Sequence, residues 1–456
     1  MKPRVVTGMN KKISGKNYVL IASMLFGLFF GAGNLIFPII MGARAGANVG
    51  TALIGMLVTA VGIPLLGIIS MGISRSEGLM HMSGRVSKAY SYFFTCALYL
   101  TIGPLFAIPR CAAVSFTVGV SPLLGEANEM IPQLIFTTAF FALVLFFSLK
   151  PSKIMDSVGR LLNPIFLVFL GILMITALVK PVESAAGVAP QGDYVNGAFF
   201  AGFLQGYDTL DALASLAFGI VVINVIRGLG VTEPTDIAKS TVKSGVFSMI
   251  LMAAIYAGIA IVGAQSYGLY AEELAADPSF TGGDIFAIIA RHYFGETGGI
   301  LLALTATFCC MKTAVGLVTS CSETFTAMFG WVKYRPCAIA LSVFALLISN
   351  IGLNLIIKFS APVLYFLYPL AIVLILLSLF GRFFDYDKRI MRWTIGFTAI
   401  AAALEVPRVA GAAALKGIAD WTAGWLPLYS VGLGWVVPAA IGLAIGFILR
   451  ASRKAA

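Results

Sequence analysis

Three features of this 456-residue chain carry groups that could do chemistry, and all lie inside long apolar runs. The first is Phe26-Gly27-Leu28-Phe29-Phe30-Gly31-Ala32-Gly33-Asn34-Leu35-Ile36-Phe37-Pro38. Its glycines each weaken a helix by about 1 kcal/mol relative to alanine, and a break in hydrocarbon survives only against protein or a cavity. The second is Leu204-Gln205-Gly206-Tyr207-Asp208-Thr209-Leu210-Asp211-Ala212-Leu213-Ala214. Polar and ionisable groups at mid-membrane depth are costly and point to a functional site. The third is Lys312, about fifteen residues into its apolar run, which at about 1.5 Å per residue is close to the bilayer midplane.

The chemistry that suits such breaks is recognition of a zwitterion. A broken helix exposes free N–H groups and positive potential at one end, and free carbonyls and negative potential at the other. Those ends match a carboxylate and an ammonium, while the surrounding Phe, Leu and Ile favour an apolar substituent. A packing face, Gly27-xxx-Gly31, is the alternative for the first stretch, but it does not require Gly33-Asn34. A loop between two short spans is the alternative for the second. It fails on length, because residues 196–204 and 212–226 are each too short to cross.

The elements that must position these groups follow from composition. With 59% hydrophobic and 11% charged residues and a mean hydropathy of +0.95, the chain cannot hide its apolar surface as a water-soluble globule. Soluble enzyme, disulfide scaffold and nucleic-acid binder are excluded. Twelve apolar spans are predicted near 17–43, 50–73, 89–119, 131–149, 158–179, 196–226, 242–266, 297–329, 336–353, 359–381, 393–410 and 426–449. With both termini placed in the cytoplasm, 23 of the 31 Lys and Arg residues fall on the inside, as the positive-inside rule requires. Every short inner connection is then basic: Lys2, Arg4, Lys11 and Lys12; Lys150, Lys153 and Arg160; Arg382, Lys388 and Arg392 are examples. Residues 74–88, with Arg75, Glu77, His81, Arg85 and Lys88, read as an amphipathic inner connection.

Interrupted helices at the start of two five-span halves predict an inverted repeat with the binding site between the breaks. The expected organisation is one membrane domain, with 14–180 and 196–381 as repeats and 393–450 as two further helices. No GxxxxGK[ST] loop encodes ATP drive. There is no ring of like charges for a channel and no His/Asp/Glu cluster for an enzyme. Six cysteines without a CxxC pair read as packing residues. Arg110 reads equally as a gate charge near the outer face or as a headgroup or loop anchor, and Glu323 as a lining or pairing group at the inner end of span eight.

Phe30-Gly31-Ala32-Gly33-Asn34-Leu35-Ile36-Phe37-Pro38 resembles the first-helix signature of the branched-chain amino acid:cation symporters. Further matches are Gly103-Pro104-Leu105-Phe106-Ala107-Ile108-Pro109-Arg110, Gly206-Tyr207 with Thr209 and Asp211, Gly219-Ile220-Val221, and Gly230-Val231-Thr232-Glu233. Thr313-Ala314-Val315-Gly316-Leu317 and Ser349-Asn350-Ile351-Gly352-Leu353 complete a set that runs from about residue 14 to 450.

The resemblance implies a LeuT-type, all-α membrane protein of twelve helices. Helices 1 and 6 would be discontinuous, and the protein would import Leu, Ile and Val across a bacterial inner membrane with a cation gradient. It implies that Ala32, Gly33 and Asn34 present N–H groups to the substrate carboxylate. Gln205, Gly206 and Thr209 would meet the ammonium, and Tyr99 and Phe106 would line the aliphatic pocket. In such carriers a sodium ion sits between first-helix carbonyls, here Gly27 and Phe30, and the eighth helix, here Cys309 and Thr313. Lys312 departs from that pattern by placing an ammonium where a hydroxyl or small residue is expected, and Asp208 is an unexpected acid at similar depth. The two are expected to pair, which opens proton coupling through Lys312 as the alternative to sodium. No cofactor beyond the coupling ion, no nucleic acid and no obligate protein partner are expected. The partners are the substrate and the lipid bilayer. The competing function is a channel or facilitator for small apolar solutes.

Overall fold

The computed structural model describes residues 15–124, 129–149, 163–231, 233–277 and 280–455. Lys2, Arg4, Lys11, Lys12, Lys150, Lys153, Arg160, Thr232 and the first residues predicted for span five lie outside them.

Each of the twelve predicted spans overlaps a helix or a pair of helices. Span one divides into α1 (Gly15–Phe29) and α2 (Ala32–Ala45). Span two is α3 (Val49–Leu57), a π-turn over Val58–Gly62 and α4 (Ile63–Ile73). Span three is α5 (Lys88–Leu100), a π-turn over Thr101–Leu105 and α6 (Ala107–Gly119). Spans four and five are α7 (Met130–Ser148) and α8 (Asn163–Val179). Span six divides into α9 (Ala198–Asp208) and α10 (Asp211–Gly228). Then follow α11 (Pro234–Gln265), α12 (Gly282–Met328), α13 (Tyr334–Ser349), α14 (Leu353–Phe380), α15 (Lys388–Ala410) and α16 (Val436–Ala455).

Two predicted boundaries move. The helix of span eight starts at Gly282 rather than near 297, and Gly295 (φ 60, ψ −154) breaks it where no other residue type adopts that backbone cheaply. Span twelve starts at Val436 rather than 426, because Leu428 and Gly432 take left-handed conformations around a 3-10 turn at Tyr429–Val431. The connection 74–88 is amphipathic: its Leu79, Met82 and Val86 are buried in the bundle, Arg75, Glu77, His81 and Lys88 are exposed, and Arg85 lies 3.8 Å above the Tyr386 ring.

The packing follows the two halves. Span one packs on span seven through α1 and α2 against α11, and span six packs on span two through α9 against α3 and α10 against α4. Spans three and eight meet through α6 and α12. First with seventh, sixth with second and third with eighth is the exchange an inverted repeat produces. Close approach depends on small residues: a Cβ at Gly42 would lie 1.8 Å from the Ala260 carbonyl oxygen, and one at Gly202 would lie 1.9 Å from that of Ala52. Outer helices show apolar side chains to the surroundings, with Ile131, Ile135 and Phe146 all more than half exposed, as lipid contact requires.

Candidate functional site

The first break is two residues wide. Phe30 leaves the helix, and Gly31 is extended (φ −134, ψ −158), with its N–H donating to Asn34 Oδ1 at 2.8 Å. That cap satisfies one orphan donor and leaves the next first-turn N–H groups of α2 facing the break. The Phe30 carbonyl accepts from Cys309 Sγ at 3.0 Å and from Thr313 Oγ1 at 3.2 Å. A Cβ at Gly31 would sit 3.0 Å from Thr313 Cγ2, so the absence of a side chain lets α12 close on the break.

The second break is made without glycine. Leu210 holds a left-handed backbone (φ 67, ψ 6) between α9 and α10, a strained conformation for a bulky side chain. Thr209 bridges it: Oγ1 donates to the Gly206 carbonyl at 2.9 Å and accepts the Asp211 N–H at 3.4 Å.

A buried polar cluster ties the breaks together. Asn34 Nδ2 donates to both Asp211 carboxylate oxygens, at 3.0 and 2.9 Å, and also reaches the Tyr256 hydroxyl. Tyr256 in turn donates to Asp211 Oδ2 at 2.6 Å. A carboxylate inside the bundle thus gains donors from spans one and seven, which offsets part of its desolvation.

Between the breaks lies a narrow cavity of about 30 Å³, lined by Gly31, Ala32, Gly33 and Asn34 on one side and by Thr209, Leu210 and Asp211 on the other. Arg110 and Thr313 complete its polar lining, and Phe29 and Phe218, in edge contact at 5.9 Å, are part of its apolar wall. A vestibule of about 470 Å³ opens at the end of the bundle where the connections around Gln191 and Leu274 lie. Arg44, Asp193, Tyr194, Gln205, Asp208 and Tyr365 line it.

Of the residues expected to bind substrate, Ala32, Gly33, Asn34 and Thr209 therefore share the cavity, and the others do not. Gln205 lines the vestibule, donating from Nε2 to Asp208 Oδ2 at 2.8 Å. Gly206 is a packing glycine, since a Cβ there would meet Thr59 Oγ1 at 2.0 Å. Tyr99 turns toward Phe325, with ring centroids 6.2 Å apart, and Phe106 is buried outside the lining. Span three instead presents Ile102, Ala107, Arg110 and Cys111. Between Tyr99 and Arg110 the span runs through a π-turn at Thr101–Leu105, with Gly103 (φ −93, ψ −125) and Phe106 (φ −133, ψ −57) non-helical.

Among the coupling residues, Phe30, Cys309 and Thr313 come together as described. Gly27 lies in the last turn of α1, where carbonyls lack helical partners. Lys312 is buried beside them, with the Cys309 and Cys310 thiols within electrostatic reach. Asp208, expected beside Lys312, accepts from Gln205 Nε2 and lies within electrostatic reach of the Arg110 guanidinium. The set offers the Gly27 and Phe30 carbonyl oxygens and the Thr313 hydroxyl, donors of the type a sodium ion takes, beside the Cys309 thiol and the Lys312 ammonium, which are not. Glu323 is exposed near the end of α12. Two residues of the site carried little sequence signal. Tyr256 is one hydroxyl in an apolar helix, and Arg110 sits where helical periodicity alone gives no facing.

Comparison with known proteins identifies the family and the fold. The profile of the family described as branched-chain amino acid transport protein matches residues 14–453. A branched-chain amino acid permease, BrnQ, of Lactobacillus delbrueckii subsp. lactis is 49% identical over 449 residues, covering 96% of this chain and 97% of the relative. The BrnQ permease of Bacillus subtilis is 40% identical over 445 residues, covering 98% and 99%. Among solved structures, MhsT in complex with L-phenylalanine superposes with a TM-score of 0.55 at 18% identity, covering 97% of this chain and 99% of MhsT. Mhp1, a nucleobase-cation-symport-1 family transporter in a closed conformation, gives 0.59 at 14% identity, covering 94% and 91%. Those likenesses show the fold, a LeuT-type helical bundle, and the relatives show the family. The chain is a multi-pass membrane protein, not an enzyme, and belongs to the branched-chain amino acid transport protein family.

Proposed function

We propose that the protein is a secondary transporter that imports Leu, Ile and Val across a bacterial inner membrane, with both termini in the cytoplasm. The observation that carries this reading is the cavity between the two breaks, where a guanidinium, a carboxylate and helix termini face apolar walls. A zwitterion with an aliphatic side chain is the solute with that distribution of charge. Free N–H groups of α2 at Ala32, Gly33 and Asn34 suit its carboxylate. Thr209, Asp211 and the carbonyls ending α9 suit its ammonium. A cavity of about 30 Å³ holds little more than a water, so loading requires the walls to part toward the vestibule. A coupled conformational change of that kind fits a carrier better than a channel or facilitator.

Coupling to a cation gradient is part of the proposal, and Lys312 is its focus. The Phe30 carbonyl is met by a thiol and a hydroxyl, with the lysine beside them. An ammonium there supplies the positive charge that a bound cation would otherwise bring, and coupling would run through its protonation. The test is leucine uptake into proteoliposomes with sodium and proton gradients imposed separately. Saturable uptake, competed by isoleucine and valine and driven by a proton gradient without sodium, is expected. Lys312→Met is expected to uncouple uptake from pH, and Lys312→Thr to restore a sodium response. Transport of arginine or glutamate but none of the three would refute the substrate. Strict sodium dependence with no effect of pH would refute the role of Lys312.

A further inference from the structure

Arg110 is 2% exposed, and its Nε and Nη1 have no hydrogen-bond partner. A guanidinium is expensive to bury, and a buried donor without an acceptor is rare enough in native structures to require a reason. The surroundings supply charge balance without hydrogen bonds. Asp208 and Asp211 lie within electrostatic reach, and the Phe37 ring centroid is 5.0 Å from Cζ. Its position is also specific. A Cβ built on Gly33 would lie 2.7 Å from Nη2 and 3.3 Å from Cζ, so the guanidinium packs against the first turn of α2 in the space a side chain would need. The same guanidinium lines the cavity together with Thr209 and Asp211.

We infer that Arg110 is the anchor for the substrate carboxylate and the residue that makes the site select α-amino acids over their amides and amines. An arginine offers planar donors matched to a carboxylate, which an ammonium or a backbone N–H alone does not. Together with the N-terminal potential of α2 it places two positive elements at the cavity, and the Asp211 carboxylate, held by Asn34, is the negative one. The glycine at position 33 then has a double reason: it leaves room for the guanidinium and keeps the backbone N–H groups within reach of the same carboxylate. Its proximity to Asp208, which lines the vestibule, places Arg110 at the partition between vestibule and cavity. This inference rests on the amino-acid reading above and adds the residue that reads the carboxylate.

The experiment measures ligand-induced thermal stabilisation of the purified full-length protein by leucine, leucinamide and 3-methylbutylamine, for wild type, Arg110→Gln and Arg110→Lys. The wild type is expected to bind leucine and to discriminate strongly against the two ligands without a carboxylate. In Arg110→Gln, leucine affinity is expected to fall by roughly 30-fold, as loss of a charge-assisted pair implies, while leucinamide affinity changes little. Arg110→Lys should fall between. An unchanged leucine-to-leucinamide ratio in Arg110→Gln overturns the inference. If that variant does not fold, the ratio in Arg110→Lys decides: a reduced ratio supports the anchor and an unchanged one refutes it. A wild type that binds none of the branched-chain amino acids refutes the transport reading instead, independently of Arg110.

Discussion

The two helix breaks do the same job with opposite materials. The first is built from small residues: Gly31 is extended, its N–H is capped by Asn34, and Thr313 closes on it where a Cβ would intrude. The second holds a buried leucine in a left-handed backbone, propped by the Thr209 hydroxyl and followed at once by Asp211. One break removes steric bulk so that neighbours can approach. The other stores backbone strain of about 1–3 kcal/mol that the surrounding contacts must hold in place. The lesson is that a discontinuous helix needs satisfied backbone groups more than it needs glycine. Asn34 Oδ1 accepts the Gly31 N–H at the first break, Thr209 Oγ1 accepts the Asp211 N–H at the second, and the Asn34–Asp211–Tyr256 side chains tie the two breaks together.

The largest expected effect separates the breaks by side-chain volume. Gly33→Leu drives a side chain into Arg110 and over the N–H groups of α2. Uptake should vanish while the protein stays in the membrane at normal levels. Near-normal uptake at unchanged expression would show that the first break is not part of the site. Next comes Tyr256→Phe, which strips one donor from Asp211 but leaves the ring in place. Losing a hydrogen bond to a charged group costs about 1.5–3 kcal/mol, so leucine affinity should drop by roughly tenfold or more. The melting temperature of the ligand-free protein is the control, and a fall in stability with unchanged affinity would assign Tyr256 to structure alone. The smallest effect belongs to Gly31→Ala. Its backbone accepts alanine, yet the new methyl meets Thr313 Cγ2 and Oγ1 at 3.0 Å. A drop in uptake of a few-fold is expected, with partial rescue by Thr313→Ser, which removes Cγ2 and keeps the hydroxyl. Failure of the rescue would mean that the contact between α12 and the first break is not what limits transport.

Much of this arrangement is legible in the chain itself. The glycines at 27, 31 and 33, the polar run from Gln205 to Asp211 and the placement of Lys and Arg mark both breaks and the spans around them. These signals are local: a helix-breaking residue or a mid-membrane carboxylate carries its cost wherever the chain folds. The family likeness is legible for the same reason, since it rests on short ordered motifs.

Facing and partnership are not local, and there the tertiary structure decides. Span three is irregular from the π-turn after Leu100 to the non-helical Phe106, and Arg110 rather than Tyr99 or Phe106 lines the cavity. Gln205 and Asp208 precede the second break by less than two turns, yet they face the vestibule, while Thr209 and Asp211 face the cavity. Tyr256 joins Asp211 across 45 positions and Asn34 across 222. Composition and periodicity determine that this chain crosses a membrane repeatedly and breaks twice. Which donors meet Asp211, and which cation meets Asp208, depends on helix phase and on packing between distant segments, because an additional residue in a turn moves a side chain by roughly 100° while leaving the hydrophobic pattern almost unchanged.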